Sequence, residues 1–186
     1  MRRLFQRPVT WVALVLAVAG LAVGLALFEP WRALTSSRLD EPAPMVAMSS
    51  APALTEPMTT TEPMTTEPMA PPEPTVLAQG RFVSQEHDTA GTAKVLDLGD
   101  GSRVLRLESF TTSDGPDVHV WLSDAAAGGE WSTYDDGRYV ALGEIKATDG
   151  NHNYVIPADA DLTGLNSVVI WCDRFNVAFG SAPLEL

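Results

Sequence analysis

Between residues 55 and 69 a four-residue unit occurs three times, as Thr55-Glu56-Pro57-Met58, Thr61-Glu62-Pro63-Met64 and Thr66-Glu67-Pro68-Met69. A proline in every unit removes a backbone donor and fixes φ, so neither helix nor sheet can propagate through so short a repeat. From 35 to 75 the chain is mostly Pro, Thr, Ser, Met, Ala and Glu without one aromatic residue, a composition that cannot bury a core. This segment reads as a disordered stalk, partly extended as polyproline and stretched by repulsion among Glu56, Glu62, Glu67 and Glu73. Its methionines offer thioethers to Cu(I), but soft-metal sites need ligands converging in fixed geometry, which such a chain does not supply. Stable structure is expected only on either side of it.

On the N-terminal side, Arg2, Arg3 and Arg7 precede residues 9–28, a run with no charged residue. As a helix it rises about 30 Å, enough to cross a bilayer core. A signal peptide has a shorter apolar core, about 7–15 residues, ending at a small-residue cleavage site. Here the small-residue trio Ala17-Val18-Ala19 lies inside the run. Residues 1–34 are therefore expected to form a basic cytoplasmic tip and an uncleaved anchor, with 9–28 in the cell membrane. The arginines put the N-terminus in the cytoplasm and everything after Glu29 outside.

The remaining part, 76–186, has the length of one ordinary domain. It carries seventeen carboxylates against seven lysines and arginines, ten of the chain's twelve net negative charges. Phosphate binding needs a basic footprint, so nucleic acid is excluded as a partner. The hydrophobic period is two: in Asp117-Val118-His119-Val120-Trp121-Leu122 the aliphatic residues face one way. Strands are expected at 80–83, 92–98, 104–108, 117–122, 138–144, 153–156, 167–172 and 175–179. Turn signals separate them, among them Gly99-Asp100-Gly101, Asp114-Gly115-Pro116, Asp135-Asp136-Gly137 and Asp149-Gly150-Asn151. One short helical turn fits 124–128. The fold class is all-β, an antiparallel β-sandwich or alternatively a small β-barrel.

Cys172 is the only cysteine. It excludes an intramolecular disulfide and any dithiol exchange within the chain. Four states remain open: a buried inert thiol, a bridge to a partner, a cofactor ligand, or a reactive centre. Val168, Ile170 and Cys172 share one face of their strand, and a break or bulge at Asp173-Arg174 is expected to re-aim the chain there. His119 shares a face with Asp117 and Trp121; on a strand neighbouring that of Cys172 it could form a Cys–His pair or bracket a haem iron. His87 lies in the loop Glu86-His87-Asp88, and His152 in a turn, where it is expected to be solvated. Covalent haem attachment is absent, since there is no Cys-x-x-Cys-His. A non-covalent haem needs an aromatic slot, for which Trp121, Trp131, Tyr139, Trp171 and Phe175 are the available walls. No zinc-spacing cluster, calcium loop, phosphate loop or nucleophile elbow occurs, so no metal ligand is assigned.

Five segments in order resemble the DM-thirteen electron-transfer domain. They are Gly80-Arg81-Phe82, His87-Asp88-Thr89-Ala90-Gly91-Thr92-Ala93, Gly115-Pro116-Asp117-Val118-His119-Val120-Trp121-Leu122, Asn153-Tyr154-Val155-Ile156-Pro157 and Val169-Ile170-Trp171-Cys172-Asp173-Arg174-Phe175. The resemblance covers the globular part and none of the anchor or stalk. It implies an extracytoplasmic β-rich module for electron transfer or oxidative modification at the cell surface. It also implies that Cys172 acts as a free thiol or as a ligand to a prosthetic group such as haem, and it draws attention to His87. With no second redox domain in the chain, a relay needs a partner redox protein. The expected function is a membrane-anchored electron-transfer or thiol-redox module centred on Cys172, with His87 and His119 as further cofactor ligands, rather than a stand-alone enzyme. The alternative is a non-catalytic binding module that presents a ligand- or partner-binding surface outside the membrane.

Overall fold

Val118, Val120 and Leu122 turn to one side of an extended chain and His119 and Trp121 to the other, and segments of this kind assemble into two facing sheets. The computed structural model describes residues 8–29, 31–32, 35–45 and 73–186. Helix α1 (Pro8–Phe28) is the one helix among them long and apolar enough to cross a membrane. Its side chains from Trp11 onward are almost all exposed, so the body supplies no apolar cover for it. Contact with the body is made at its C-terminal end. There Phe28 stacks on Phe175 with ring centroids 6.1 Å apart, and Arg174 Nη1 donates to the Leu27 carbonyl at 2.5 Å.

The strands are β1 (Arg38–Asp40), β2 (Thr75–Arg81), β3 (Val83–Ser84), β4 (Ala90–Asp97), β5 (Arg103–Thr111), β6 (Val118–Ser123), β7 (Tyr139–Glu144), β8 (Asp149–Ile156), β9 (Ser167–Cys172) and β10 (Val177–Pro183). The first sheet has the order β1-β8-β5-β4-β2 and the second β3-β10-β9-β6-β7. Among the described residues no ladder joins them, so the architecture is a sandwich and not a closed barrel. Val95, Leu105, Leu107, Tyr154 and Ile156 of the first sheet meet Val120, Leu122, Val168, Ile170 and Cys172 of the second. Each fully buried aliphatic side chain here contributes about 1.5–3 kcal/mol.

Each expected strand overlaps an observed one and 167–172 coincides with β9, but 80–83 is divided at Phe82 between β2 of the first sheet and β3 of the second, and 175–179 begins only at Val177 because Phe175 lies in a turn. The expected break after Cys172 is a turn, Asp173 to Asn176, with Asn176 at a φ of 55°; it returns the chain so that Val177 pairs with Cys172. The segment 124–128 forms a bend at 124–125 and a turn at 127–128, with no helix.

The stretch 35–45, which composition alone assigns to the stalk, lies on the body instead, and the repeats at 55–69 lie outside the described residues. β1 pairs in parallel with β8, matching Leu39 to Gly150. Past it, the Glu41 N–H donates to the Asn151 carbonyl, the Glu41 carboxylate accepts from the Asn153 N–H, and the Glu41 and Pro42 carbonyls accept from the buried Arg106. Gly150 therefore sits inside a strand, at a φ of 116°, and not in the expected turn. A Cβ there would be driven into the Leu39 carbonyl, so only glycine lets the two backbones approach. His152 is likewise corrected from a solvated position to a fully buried one, packed against Phe110 and Tyr154.

Candidate functional site

The strand register decides which of the expected site residues meet. β6 and β9 are antiparallel neighbours, with Val118 opposite Cys172 and His119 opposite Trp171. Side chains of directly opposed residues lie on the same face, and successive residues alternate. Cys172 therefore points between the sheets with Val118, while His119 points out of the sandwich with Trp171. The two are on adjacent strands but on opposite faces, which rules out a Cys–His pair in this fold.

The Cys172 thiol is wholly buried in the main core. Burial, the largest influence, pushes its pKa up, and the nearby Asp117 charge adds to this; backbone N–H groups of Phe175 and Arg174 offset part of it. A thiol in this state is a poor nucleophile, because the thiolate is the reactive form. His87 is half-buried after β3, its ring 4.0 Å from that of Phe179 and its N–H donating to the Phe179 carbonyl. Phe179 and Val118 in turn crowd Gly115, where a Cβ would lie 3.0 and 2.7 Å from them.

A haem held by these residues would need an open apolar slot with the axial ligands facing one iron. His119 stands on the opposite side of the sheet from Cys172, and the aromatic residues lie against one another instead of bounding a slot. Phe175 is taken up by Phe28, and Trp131 lies exposed with its carbonyl accepting from the Ala178 N–H. The three proposed ligands do not fit a shared haem.

On the outer face of the second sheet a different constellation forms. Trp121 stacks on Tyr139 with centroids 4.0 Å apart and planes 10° from parallel, and on Trp171 at 5.1 Å and 28°. Trp171 and Trp121 are buried, whereas Tyr139 is 42% exposed. The cover comes from the connection between β6 and β7, which lays Tyr134 edge-on to Trp171 and anchors its hydroxyl to the Ala126 carbonyl and Ser181. Trp121, Tyr134, Val169, Trp171 and Ala178 thus make a second apolar cluster outside the sandwich.

At the other end of this stack, Trp171 Nε1–H donates to Asp173 Oδ1 at 2.7 Å. Asp173 Oδ2 lies 3.7 Å from His119 Nε2, which is 2.8 Å from Asp117 Oδ1. The Asp173 N–H also donates to the Asp117 carbonyl, which ties the turn after β9 to the start of β6. A polar cleft of about 340 Å³ opens beside Asp117, with Arg32, Asp114, Glu144, Lys146 and Thr148 also in its walls.

The common face of Asp117, His119 and Trp121 follows from period two alone. That Asp173 joins them, and that Trp171 and Tyr139 stack on Trp121, depends on pairing between strands far apart in sequence, for which one sequence carries no signal. No curated protein and no solved structure matches the chain. A family model described as Electron transfer DM13 matches residues 81–184, more than half of the 186-residue chain and all of β3 to β10 with the outward aromatic stack; the chain belongs to the DM13 electron-transfer family.

Proposed function

We propose that the chain is a membrane-anchored, extracytoplasmic electron-transfer module in which single electrons move along Trp171, Trp121 and Tyr139. The observation that carries this reading is the continuous ring contact from buried Trp171, bonded to Asp173, out to exposed Tyr139. Family membership supports electron transfer for the domain. An apolar α1 behind three arginines supports the anchor and the outward placing of the domain. A high-potential one-electron oxidant at the Asp173 end takes an electron from Trp171, Trp121 replaces it, and Tyr139 replaces that one. Tyr139 loses its phenolic proton to solvent with the electron, and regains both when a one-electron donor protein reduces it. Cys172 stands off this route, and its burial and raised pKa weigh against thiol exchange.

Flash oxidation of the full-length chain with a ruthenium polypyridyl photo-oxidant tests the route. A tryptophanyl radical should decay into a tyrosyl radical in the wild type. In Trp121→Leu and in Tyr139→Phe the tyrosyl signal should be lost and the tryptophanyl radical should persist. Identical transients in all three chains would sink the reading. A non-catalytic binding module is the second reading, favoured by the polar cleft beside Asp117; it requires a ligand held there and predicts that the aromatic variants keep full function.

A further inference from the structure

His119, Asp117 and Asp173 present one ligand atom each, and these atoms all lie within 4.8 Å of one another. Imidazole nitrogen and carboxylate oxygen bind first-row metals at about 2.0–2.2 Å, which sets neighbouring ligand atoms roughly 3 Å apart. The separation of 2.8 Å between His119 Nε2 and Asp117 Oδ1 already meets this, and Asp173 Oδ2, 3.7 Å from the same nitrogen, needs to close by less than an ångström. We propose that Asp117, His119 and Asp173 bind a divalent first-row transition-metal ion at the Trp171 end of the aromatic stack.

Two features separate this cluster from an ordinary surface ion pair. The first is its support. Trp171 Nε1–H fixes Asp173 Oδ1, which leaves Oδ2 for a ligand, and the Asp173 N–H is bonded to the Asp117 carbonyl. Outer groups of this kind orient metal ligands, and their loss typically weakens binding about 10–100-fold. The second is the charge. Two carboxylates match a dication, and the cations nearby are otherwise engaged: Arg32 with Glu29 and the Gly115 carbonyl, Lys146 with Glu41, and Arg174 with the Leu27 carbonyl. His119 is only partly exposed, its side chain at 21%, so an ion here would be shielded on the protein side and open to solvent on the other. One nitrogen and two oxygens suit Zn²⁺ or Cu²⁺, with Cu²⁺ the tighter by the general order of divalent affinities. Nothing in the binding step depends on the aromatic stack carrying electrons, so this site stands or falls separately from the electron-transfer reading.

The test uses the full-length chain in detergent, titrated with Zn²⁺ by calorimetry and with Cu²⁺ by tryptophan fluorescence and electron paramagnetic resonance. One ion per chain is expected, with Cu²⁺ quenching Trp171 and showing coupling to a single nitrogen. His119→Gln and Asp173→Asn should each weaken Zn²⁺ at least tenfold, and Trp171→Phe about 10–100-fold. His87→Gln should bind as the wild type. Circular dichroism and thermal melting of Asp173→Asn, a surface change, confirm that the loss is not unfolding. Absence of Zn²⁺ and Cu²⁺ binding by the wild type, or equal affinity in His119→Gln, overturns the proposal.

Discussion

Gly150→Ala is the substitution most informative about how the N-terminal segment is held. At a φ of 116° any side chain is strained, which costs about 1–3 kcal/mol. The new Cβ must also expel the Leu39 carbonyl, and β1 with it. That forfeits the bonds from Glu41 N–H to the Asn151 carbonyl, from Asp149 N–H to the Ser37 carbonyl, and from Asn153 N–H to the Glu41 carboxylate. At about 0.5–1.5 kcal/mol each, these bring the expected loss to roughly 3–7 kcal/mol, a large part of the stability of a small domain. Urea unfolding of the full-length chain measures it, and limited proteolysis within 35–45 should become faster. A second background separates the two contributions. When residues 37–42 are deleted, no backbone carbonyl is held against Gly150, and Gly150→Ala should cost only the backbone part, about 1–3 kcal/mol. An equal penalty in both backgrounds would refute the role given to the Leu39 contact. A negligible penalty in the native background would refute both contributions.

Cys172 should resist thiol-specific reagents in the folded chain at neutral pH and react fully in denaturant, because it is wholly buried and its pKa is raised; rapid labelling of the folded chain would contradict this. His152 should make stability fall on the acid side. Its pKa is lowered chiefly by burial, against the opposing pull of the Asp149 carbonyl, and its Nδ1 has no hydrogen-bond partner among the described residues. Below the ordinary histidine value of about 6.5 the unfolded chain takes a proton that the folded chain refuses, so stability present above that pH is lost as pH drops. In His152→Leu the slope of unfolding free energy between neutral and mildly acidic pH should flatten, and an unchanged slope would remove His152 as its source.

The second sheet was largely legible because its strands follow the simplest pattern. Val168, Ile170 and Cys172 alternate with Val169 and Trp171 over a six-residue run, and the structure begins and ends β9 with that run. Two positions in the first sheet misled because the same residue types serve different ends. Asp149-Gly150-Asn151 has the composition of a turn, yet its glycine is there for the close approach of β1. His152 sits in that polar stretch and reads as solvated, but β5 and β8 bring Phe110 and Tyr154 against it. Arg38-Leu39-Asp40 has no strand signal of its own; its pairing is supplied by β8 and by Glu41, bonds that no local pattern announces. At the site, the shared face of Asp117 and His119 was visible, and so was the placing of Cys172 at the end of a strand. Whether Cys172 and His119 could meet depended on the parity of a register. Val118 opposite Cys172 sends the histidine outward; a slip by one residue would have put thiol and imidazole on one face.

The placing of β1 and β2 at opposite edges of one sheet bears on the proline-containing repeats. Residue 45 leaves the body near β8 and residue 73 returns to it just before β2, so both ends of the intervening segment are attached to the same unit. The helix meets that unit independently, through Phe28 and Leu27, and Arg32 beyond its end adds a further bond. Adding or removing Thr-Glu-Pro-Met units would then lengthen or shorten a handle on the domain while leaving unchanged how far the domain stands from its helix.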